Sequence, residues 1–382
     1  MKTEGALPYW RLSSFYLCYF SLLGALVPFW GLYLKDLGFT ISEIGSLVAI
    51  LMGTRIVAPN LWGWLADRSG RRLSIIRSGS LLTVLVFSTA FWAFSFWQVA
   101  FLTFAFTFFW NAVLPQFEVV TLQFLGPNRA RYSLIRLWGS VGFIVTVVGL
   151  GALFDYVSIR WLIPVLWALM ILIWLTTLLV TQPPATESKV ASGEFLRVVR
   201  RPEVIAFFLI SLIVQFGHGP YYTFYSIYMT EFGYDKIDIG LLWGLGVLAE
   251  VLVFVVMHRL LEWTGLRNMV IFGLAVCAVR WLLIGLFPDS LVIVLFAQSL
   301  HAVTFGCLHA SGITLVQQFF PPGIQGQGQA LYSSFGFGVG GALGAYFSGW
   351  IWTLAGGTAT FIAAAAISLI GLVIAWLWLR TD

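Results

Sequence analysis

Gly63-Trp64-Leu65-Ala66-Asp67-Arg68-Ser69-Gly70-Arg71-Arg72 is the stretch on which the fold turns, a short basic loop between two long apolar runs. Gly63 lets two helices approach closely. Asp67 can cap the start of a helix or pair with a cation on a neighbouring span. Gly70 permits a tight turn, and Arg71 and Arg72 hold the loop on the cytoplasmic side of a membrane. A degenerate copy, His258-Arg259-Leu260-Leu261-Glu262-Trp263-Thr264-Gly265-Leu266-Arg267, lies 195 residues further on. The same offset places Tyr33 on Tyr228, Asp36 on Glu231, Gly38 on Gly233, Phe39 on Tyr234, Glu43 on Asp238 and Gly45 on Gly240. One constant offset over such a length reads as an internal repeat. Both copies begin on the same side, so the repeat is parallel, with its axis along the membrane normal. Transporters use that arrangement to rock two bundles around a midplane site.

Outward from the loop, the composition is that of a chain in lipid. Hydrophobic residues make up 60% and charged residues 10%, against about 25% charged in an average soluble domain. Twelve apolar runs of spanning length follow one another, at 10–34, 43–66, 74–94, 97–124, 133–154, 160–181, 204–229, 237–257, 268–287, 290–319, 329–353 and 358–379. The expected architecture is an all-α membrane protein of twelve transmembrane helices in two six-helix bundles. Residues 1–181 form the first bundle, 182–203 a polar cytoplasmic linker, and 204–382 the second bundle. Met1 to Pro8 is too short for a cleavable signal, and the run after it reads as the first span. Loops after odd-numbered spans hold three cations, Lys35, Arg160 and Lys236, whereas the tails and the remaining loops hold fifteen, Lys2, Arg129 and Lys189 among them. Both termini are therefore expected in the cytoplasm. The net charge of +5 orients the chain and gives no reason to expect a nucleic-acid partner. Cys18, Cys277 and Cys307 have neither metal-ligand nor disulfide-like spacing. No metal, no cofactor and no catalytic cluster is expected, so the chain is not read as an enzyme.

The loop resembles the signature loop of the major facilitator superfamily, in which a glycine precedes an aspartate and arginine, then a glycine and two basic residues. The resemblance implies a role in the inward gate for Gly63, Asp67, Arg68, Gly70 and Arg71, without substrate contact. Arg136-Leu137-Trp138-Gly139-Ser140-Val141-Gly142-Phe143 resembles the start of span five in the bacterial 3-phenylpropionate transporter group, relatives of lactose permease and the nucleoside proton symporters. Pro28-Phe29-Trp30, followed by Tyr33-Leu34-Lys35 and Gly38, is similar to the same group. Span five lacks the Gly-Pro step of drug antiporters, which tilts the reading toward import.

Ionisable residues inside spans carry the functional expectation. Each costs about 2.5 kcal/mol or more at a helix centre, so each needs a partner or a wet cavity. Glu118 on span four and Arg136 on span five lie at similar depth and are placed to pair, at a substrate site or as structural glue. Arg55 and Glu250 are related by the 195-residue offset. They are placed to bridge, or each to meet another partner, or Glu250 to face Arg136. Arg280 on span nine with His301 and His309 on span ten resembles the coupling group of lactose permease, but the acid expected soon after the histidine is absent. The proton route must differ, through Glu118, Glu250 or a histidine. His218, in Gly217-His218-Gly219-Pro220, sits at an expected helix break. A buried histidine is more often merely hydrogen-bonded. Trp30, Asn111 and the tyrosines of spans one and seven are candidates to line the cavity, although belts at the lipid interface claim most aromatics. Gly336, Gly340 and Gly344 on span eleven read as close-packing residues.

An arginine in an aromatic-lined cavity suits an aromatic carboxylate, by stacking and a bidentate charge-assisted bond. The expected function is proton-coupled import of a small organic solute of that kind by a monomer in the cell inner membrane. The alternatives are a sugar or nucleoside proton symporter, a drug exporter, or a non-transporting receptor.

Overall fold

Uninterrupted apolar runs leave the backbone one way to satisfy itself in lipid, which is to close its hydrogen bonds within helices. The computed structural model describes residues 7–126, 128, 131–181, 195–321 and 323–380. Residues 182–194 of the expected linker, and the cations Lys2, Arg129 and Lys189, lie outside the described residues. Among the described residues there is no strand. Eleven helices are long and apolar enough to cross a membrane. They are α1 (Tyr9–Asp36), α2 (Ile41–Ser69), α3 (Arg72–Trp92), α4 (Phe96–Leu125), α5 (Tyr132–Tyr156), α6 (Ile159–Leu178), α7 (Pro202–Glu231), α8 (Lys236–Thr264), α9 (Leu266–Leu286), α10 (Leu291–Phe319) and α11 (Gln325–Trp378). A short helix, Phe195–Val199, precedes α7.

Eleven continuous helices stand against the twelve runs in the sequence, and the difference lies at one residue. α11 is 54 residues long, or about 80 Å at 1.5 Å per residue. It is broken at Gly356, whose φ of 83° and ψ of 175° are not helical. Elsewhere most helix ends fall within about a turn of the expected apolar runs, whereas α8 continues past residue 257 to Thr264 because polar end residues carry on the hydrogen-bonded backbone.

The 195-residue repeat is visible in backbone geometry. Thr40 and Glu43 form a capping box at the start of α2, and Asp235 and Asp238 form one at the start of α8. Gly38 and Gly233, just before them, have φ of 91° and 85°. Gly70 and Gly265, which end α2 and α8, have φ of 64° and 76°. The starts of α2 and α8 are therefore built alike, whereas their ends differ: Gly70 has ψ of 5° and Gly265 ψ of 153°.

Within the first half, α1 packs on α5 and α6, and α4 on α2 and α3. Within the second, α7 and α9 pack on α11, and α8 on α10. Across the halves α5 meets α8, α2 meets α11, and α1 meets α7. The α5–α8 contact is backbone to backbone. A Cβ on Gly240 would lie 2.6 Å from the Val147 carbonyl oxygen, closer than any real Cβ approaches. Close by, the Asp155 carboxylate accepts the amides of Lys236 and Ile237 at 2.9 and 3.0 Å, so a side chain of α5 caps α8. At the same end of the molecule Lys35 Nζ lies 2.9 Å from Glu231 Oε1. The span-eleven glycines do pack closely: Gly340 and Gly344 lie against the backbone of Leu212 and Phe216 on α7.

Two helices that look continuous in the sequence are irregular inside. α7 is interrupted at His218, between Pro202–Gly217 and Gly219–Glu231. Pro220 has no amide to continue the ladder. α10 has a π-helical turn over Ala302–Cys307, an irregularity frequent at functional sites.

Candidate functional site

In the first half, the residues that face the interior come from α1, α4 and α5. Glu118 accepts a hydrogen bond from Tyr132 Oη at 3.0 Å. Tyr16 Oη donates to Thr121 Oγ1 at 3.1 Å, one turn from Glu118. The Arg136 guanidinium lies flat over Phe20, 3.6 Å from the ring centroid, with Tyr16 at 6.0 Å. Glu118 and Arg136 are within electrostatic reach of each other, but no ion pair within 4.0 Å joins them. The carboxylate is turned to the Tyr132 hydroxyl and the guanidinium to an aromatic face.

Arg55, on α2, has no hydrogen bond or ion pair among the described residues. Its charge reaches Tyr19 on α1 and Tyr222 on α7. Tyr222 is also within reach of Glu250, and no ion pair joins Arg55 to Glu250 among the described residues. Arg136 reaches Glu250 across the halves without contact. Asn111 donates to Thr54 Oγ1 at 2.8 Å, and Thr54 to Thr107 at 2.9 Å, which ties α4 to α2. Trp30 stacks on Tyr33 at 5.4 Å. It lies fourteen residues beyond Tyr16 on α1, or about 21 Å along the helix, outside the charged cluster.

In the second half, Arg280 is fully buried. Its Nε donates to the Ala297 carbonyl at 3.0 Å, one Nη to Thr304 Oγ1 at 2.9 Å, and the other to Gln298 Oε1 at 3.1 Å. Its face covers Tyr221, with 4.3 Å from Cζ to the ring centroid. The Thr304-bonded Nη also meets His301 Nδ1 at 3.1 Å. A guanidinium only donates, so His301 Nδ1 accepts, and the neutral ring carries its proton on Nε2. That Nε2 faces Glu250 Oε2 at 3.7 Å. The three groups therefore run in line, Glu250, His301 and Arg280, from α8 through α10 to α9. An acid thus stands beside the span-ten histidine, on the neighbouring helix.

His309 is two turns from His301, and the Phe305 ring stands between them, stacked at 5.3 Å on one and 5.6 Å on the other. His309 Nδ1 lies 3.4 Å from Tyr332 Oη. His218 adjoins the same cluster: it is fully buried, with its Nδ1 2.7 Å from the Val214 carbonyl, its ring edge-on to Trp281 at 4.9 Å and stacked on Tyr222 at 5.7 Å, and the charge of Arg280 within reach. In the signature loop, Asp67 pairs with Arg72, which also bonds Gln116 on α4, and Arg68 lies over Trp64. These residues sit at the end of the molecule, away from the buried charges.

Tyr132, Gln298, Thr304 and Phe305 belong to this site and were not singled out from the sequence. Tyr132 precedes Arg136 by one turn, and Phe305 is one turn from each histidine. Helical spacing could have found both. Nothing local marks Gln298 and Thr304, which are ordinary polar residues until Arg280 is folded against them.

A family model described as "MFS_1 like family" matches residues 9–363. A relative from Escherichia coli (strain K12), described as a probable 3-phenylpropionic acid transporter, is 30% identical over 358 residues, covering 89% of this chain and 90% of the relative. A maltose permease from Geobacillus stearothermophilus is 23% identical, covering 90% of this chain and 85% of the relative. A crystal structure of the nucleoside transporter NupG superposes with a TM-score of 0.87 at 16% identity, covering 96% of this chain and 98% of that one.

Proposed function

The chain belongs to the MFS_1 like family of major facilitator transporters, and from that premise we propose that it imports a small aromatic monocarboxylate together with protons. It is a multi-pass membrane protein and a transporter, not an enzyme. The observation that carries the substrate class is the state of Arg55 and Arg136. Neither has an acid within ion-pair distance among the described residues, and Arg136 lies on an aromatic face. The charges placed inside the spans from both halves are Arg55, Arg136 and Arg280 against Glu118 and Glu250. Three cations and two carboxylates leave one positive charge, which a monoanion would balance. A neutral sugar or nucleoside would leave it unbalanced in a medium where an uncompensated ion is costly. The name of the 30%-identical relative, with its phenyl ring and carboxylate, agrees with that chemistry.

Coupling is assigned to Glu250, His301 and Arg280. Protonation of Glu250 or His301 alters the interaction between them, and Arg280 sets which imidazole nitrogen takes part. Glu118, held by Tyr132, balances Arg136 when no substrate is bound. Arg55, His309, His218, Trp30 and Asn111 stand behind these in the assignment, His218 and Asn111 as packing groups.

We further infer twelve crossings, since α11 is more than twice the length of a bilayer core and is broken at Gly356. The two bundles are 1–181 and 204–382, joined through 182–203. With both termini in the cytoplasm of a cell whose inner membrane holds the protein, the Asp155 and Lys35 contacts close the outer face. Gly63, Asp67, Arg68, Gly70 and Arg71 then belong to the inner gate. The working unit is taken as the monomer.

Purified protein in liposomes, with an acidic exterior, is expected to accumulate labelled 3-phenylpropionate, and an uncoupler to abolish the accumulation. Glu250→Gln is expected to lose accumulation but retain exchange of label across equal pH. Accumulation of a neutral nucleoside or sugar in place of the acid would overturn the substrate class. Uptake indifferent to the pH gradient would overturn the coupling.

A further inference from the structure

A cavity inside the second half, separate from the space between the halves, is left unexplained by substrate binding. It lies among α7, α9, α10 and α11, with an empty volume of about 460 Å³ counting its mouth. Ser211, Gln215, Thr304, His309, Tyr332 and Leu379 are in its wall. Leu379 is at the end of the chain that carries the termini. Thr304, at the inner end, is the residue whose Oγ1 accepts from Arg280. The cavity therefore lies between the last turn of the chain and one hydrogen bond from the coupling arginine.

Its wall is chemically mixed. Gln215 is 6% exposed, makes no hydrogen bond among the described residues, and borders the cavity. An apolar void stays dry, but one bordered by several polar groups holds water once there is room for a molecule. Gln215, His309, Thr304 and the Tyr332 hydroxyl supply the two to four partners that a buried water takes.

We propose that this cavity is a water-filled channel giving protons their own route between the coupling group and the face of the termini, apart from the substrate path. The inference rests on the proton-coupled reading above. Phe305 is the apolar plug of the route, stacked between His301 on the relay side and His309 on the cavity side. His309 is the first protonatable group beyond the plug. The groups that face it are Phe305 on its own helix, Tyr332 and Phe337 on α11, and the charge of Arg136 from α5. Water in the cavity takes the proton that leaves His301 or Glu250, and the site that gave it up returns to its unprotonated form. Substrate need not pass the same way, so release of substrate and of proton become separate events.

The test has two arms. In a variant without native cysteines, Ser211→Cys is labelled in inside-out vesicles with the small hydrophilic reagent methanethiosulfonate ethyltrimethylammonium. Labelling is expected to proceed well above the rate in a variant that keeps Cys277 as its single cysteine, which is packed in the bundle core. In liposomes, Gln215→Leu removes the amide but keeps the shape. It is expected to lower pH-driven accumulation about fivefold or more, the scale of one lost hydrogen bond, while equal-pH exchange changes less than about twofold. Absence of labelling in Ser211→Cys overturns the channel, whatever the transport result. Labelling with undiminished accumulation in Gln215→Leu shows a wet cavity that is not the proton route, and overturns the proposal. If the wild-type chain accumulates nothing under a pH gradient, the functional reading fails first and the route falls with it. Wild-type accumulation is the control that tells the two failures apart.

Discussion

Arg136 shows how much a single side chain can hold when it lacks an ion-pair partner. A guanidinium in the membrane is tolerated because its flat face rests on Phe20, where cation–π attraction offsets part of the lost hydration. Its edge remains available to a carboxylate in a bidentate bond. Arg136→Lys keeps the charge but loses both the fork and the stack. The expected result is a KM for the carboxylate about tenfold higher, equivalent to about 1.4 kcal/mol, with little change in the maximal rate. Concentration-dependent uptake measures it, and an unchanged KM would remove Arg136 from the substrate site. Arg136 and Glu118 were legible as candidates from their positions in apolar runs. Their true neighbours, Phe20 and Tyr132, were not, because an ion pair is the simplest expectation for two opposite charges and the fold chose an aromatic face and a hydroxyl instead.

At the scale of an element, α8 is informative at both ends of its function. Its middle carries Glu250. Its first turn has amides that no earlier helical carbonyl can reach. Asp235 and Asp238 satisfy part of that turn from within, and Asp155 of α5 accepts the amides of Lys236 and Ile237. A carboxylate at a helix N-terminus gains about 0.3–1 kcal/mol from the aligned backbone dipoles. This gain exists only while α5 and α8 are together, so it favours the closed form of this face. Asp155→Asn is expected to shift the balance away from closure about two- to fivefold. Labelling of a cysteine introduced in place of Val148, beneath the α5–α8 contact, by a reagent added on the opposite side from the termini measures it. Labelling no faster than with Asp155 present would count against the latch.

At the scale of the molecule, the parallel repeat predicts motion as well as shape. Pairs α5–α8 and α2–α11 stand in equivalent places, and both close the face that carries Lys35 and Glu231. Transport requires that face to open and close as one unit. With cysteines in place of Lys35 and Glu231, whose side chains now meet at 2.9 Å, a short bis-methanethiosulfonate linker is expected to stop uptake, and reductant to restore it. Uptake that continues in the cross-linked protein would show that the two halves do not separate at this face during the cycle.

The sequence by itself determined the membrane class, the helical runs and the offset of the repeat, because each is local. An apolar run of spanning length in lipid can only be a helix, and turn residues such as Gly38 and Gly233 impose their own conformation. It also marked Glu250, His301 and Arg280, because a charge or an imidazole in an apolar run is conspicuous. Only the tertiary structure decided that these three stand in line, with the acid coming from α8 across a gap of 51 residues. Likewise, only the fold decided that Asn111 is tied to Thr54 and that Gln215 faces a cavity. The physical reason is that lipid and bundle interior are both apolar. The hydrophobic pattern that orients a soluble helix toward its core therefore carries little information about which face of a membrane helix meets which neighbour.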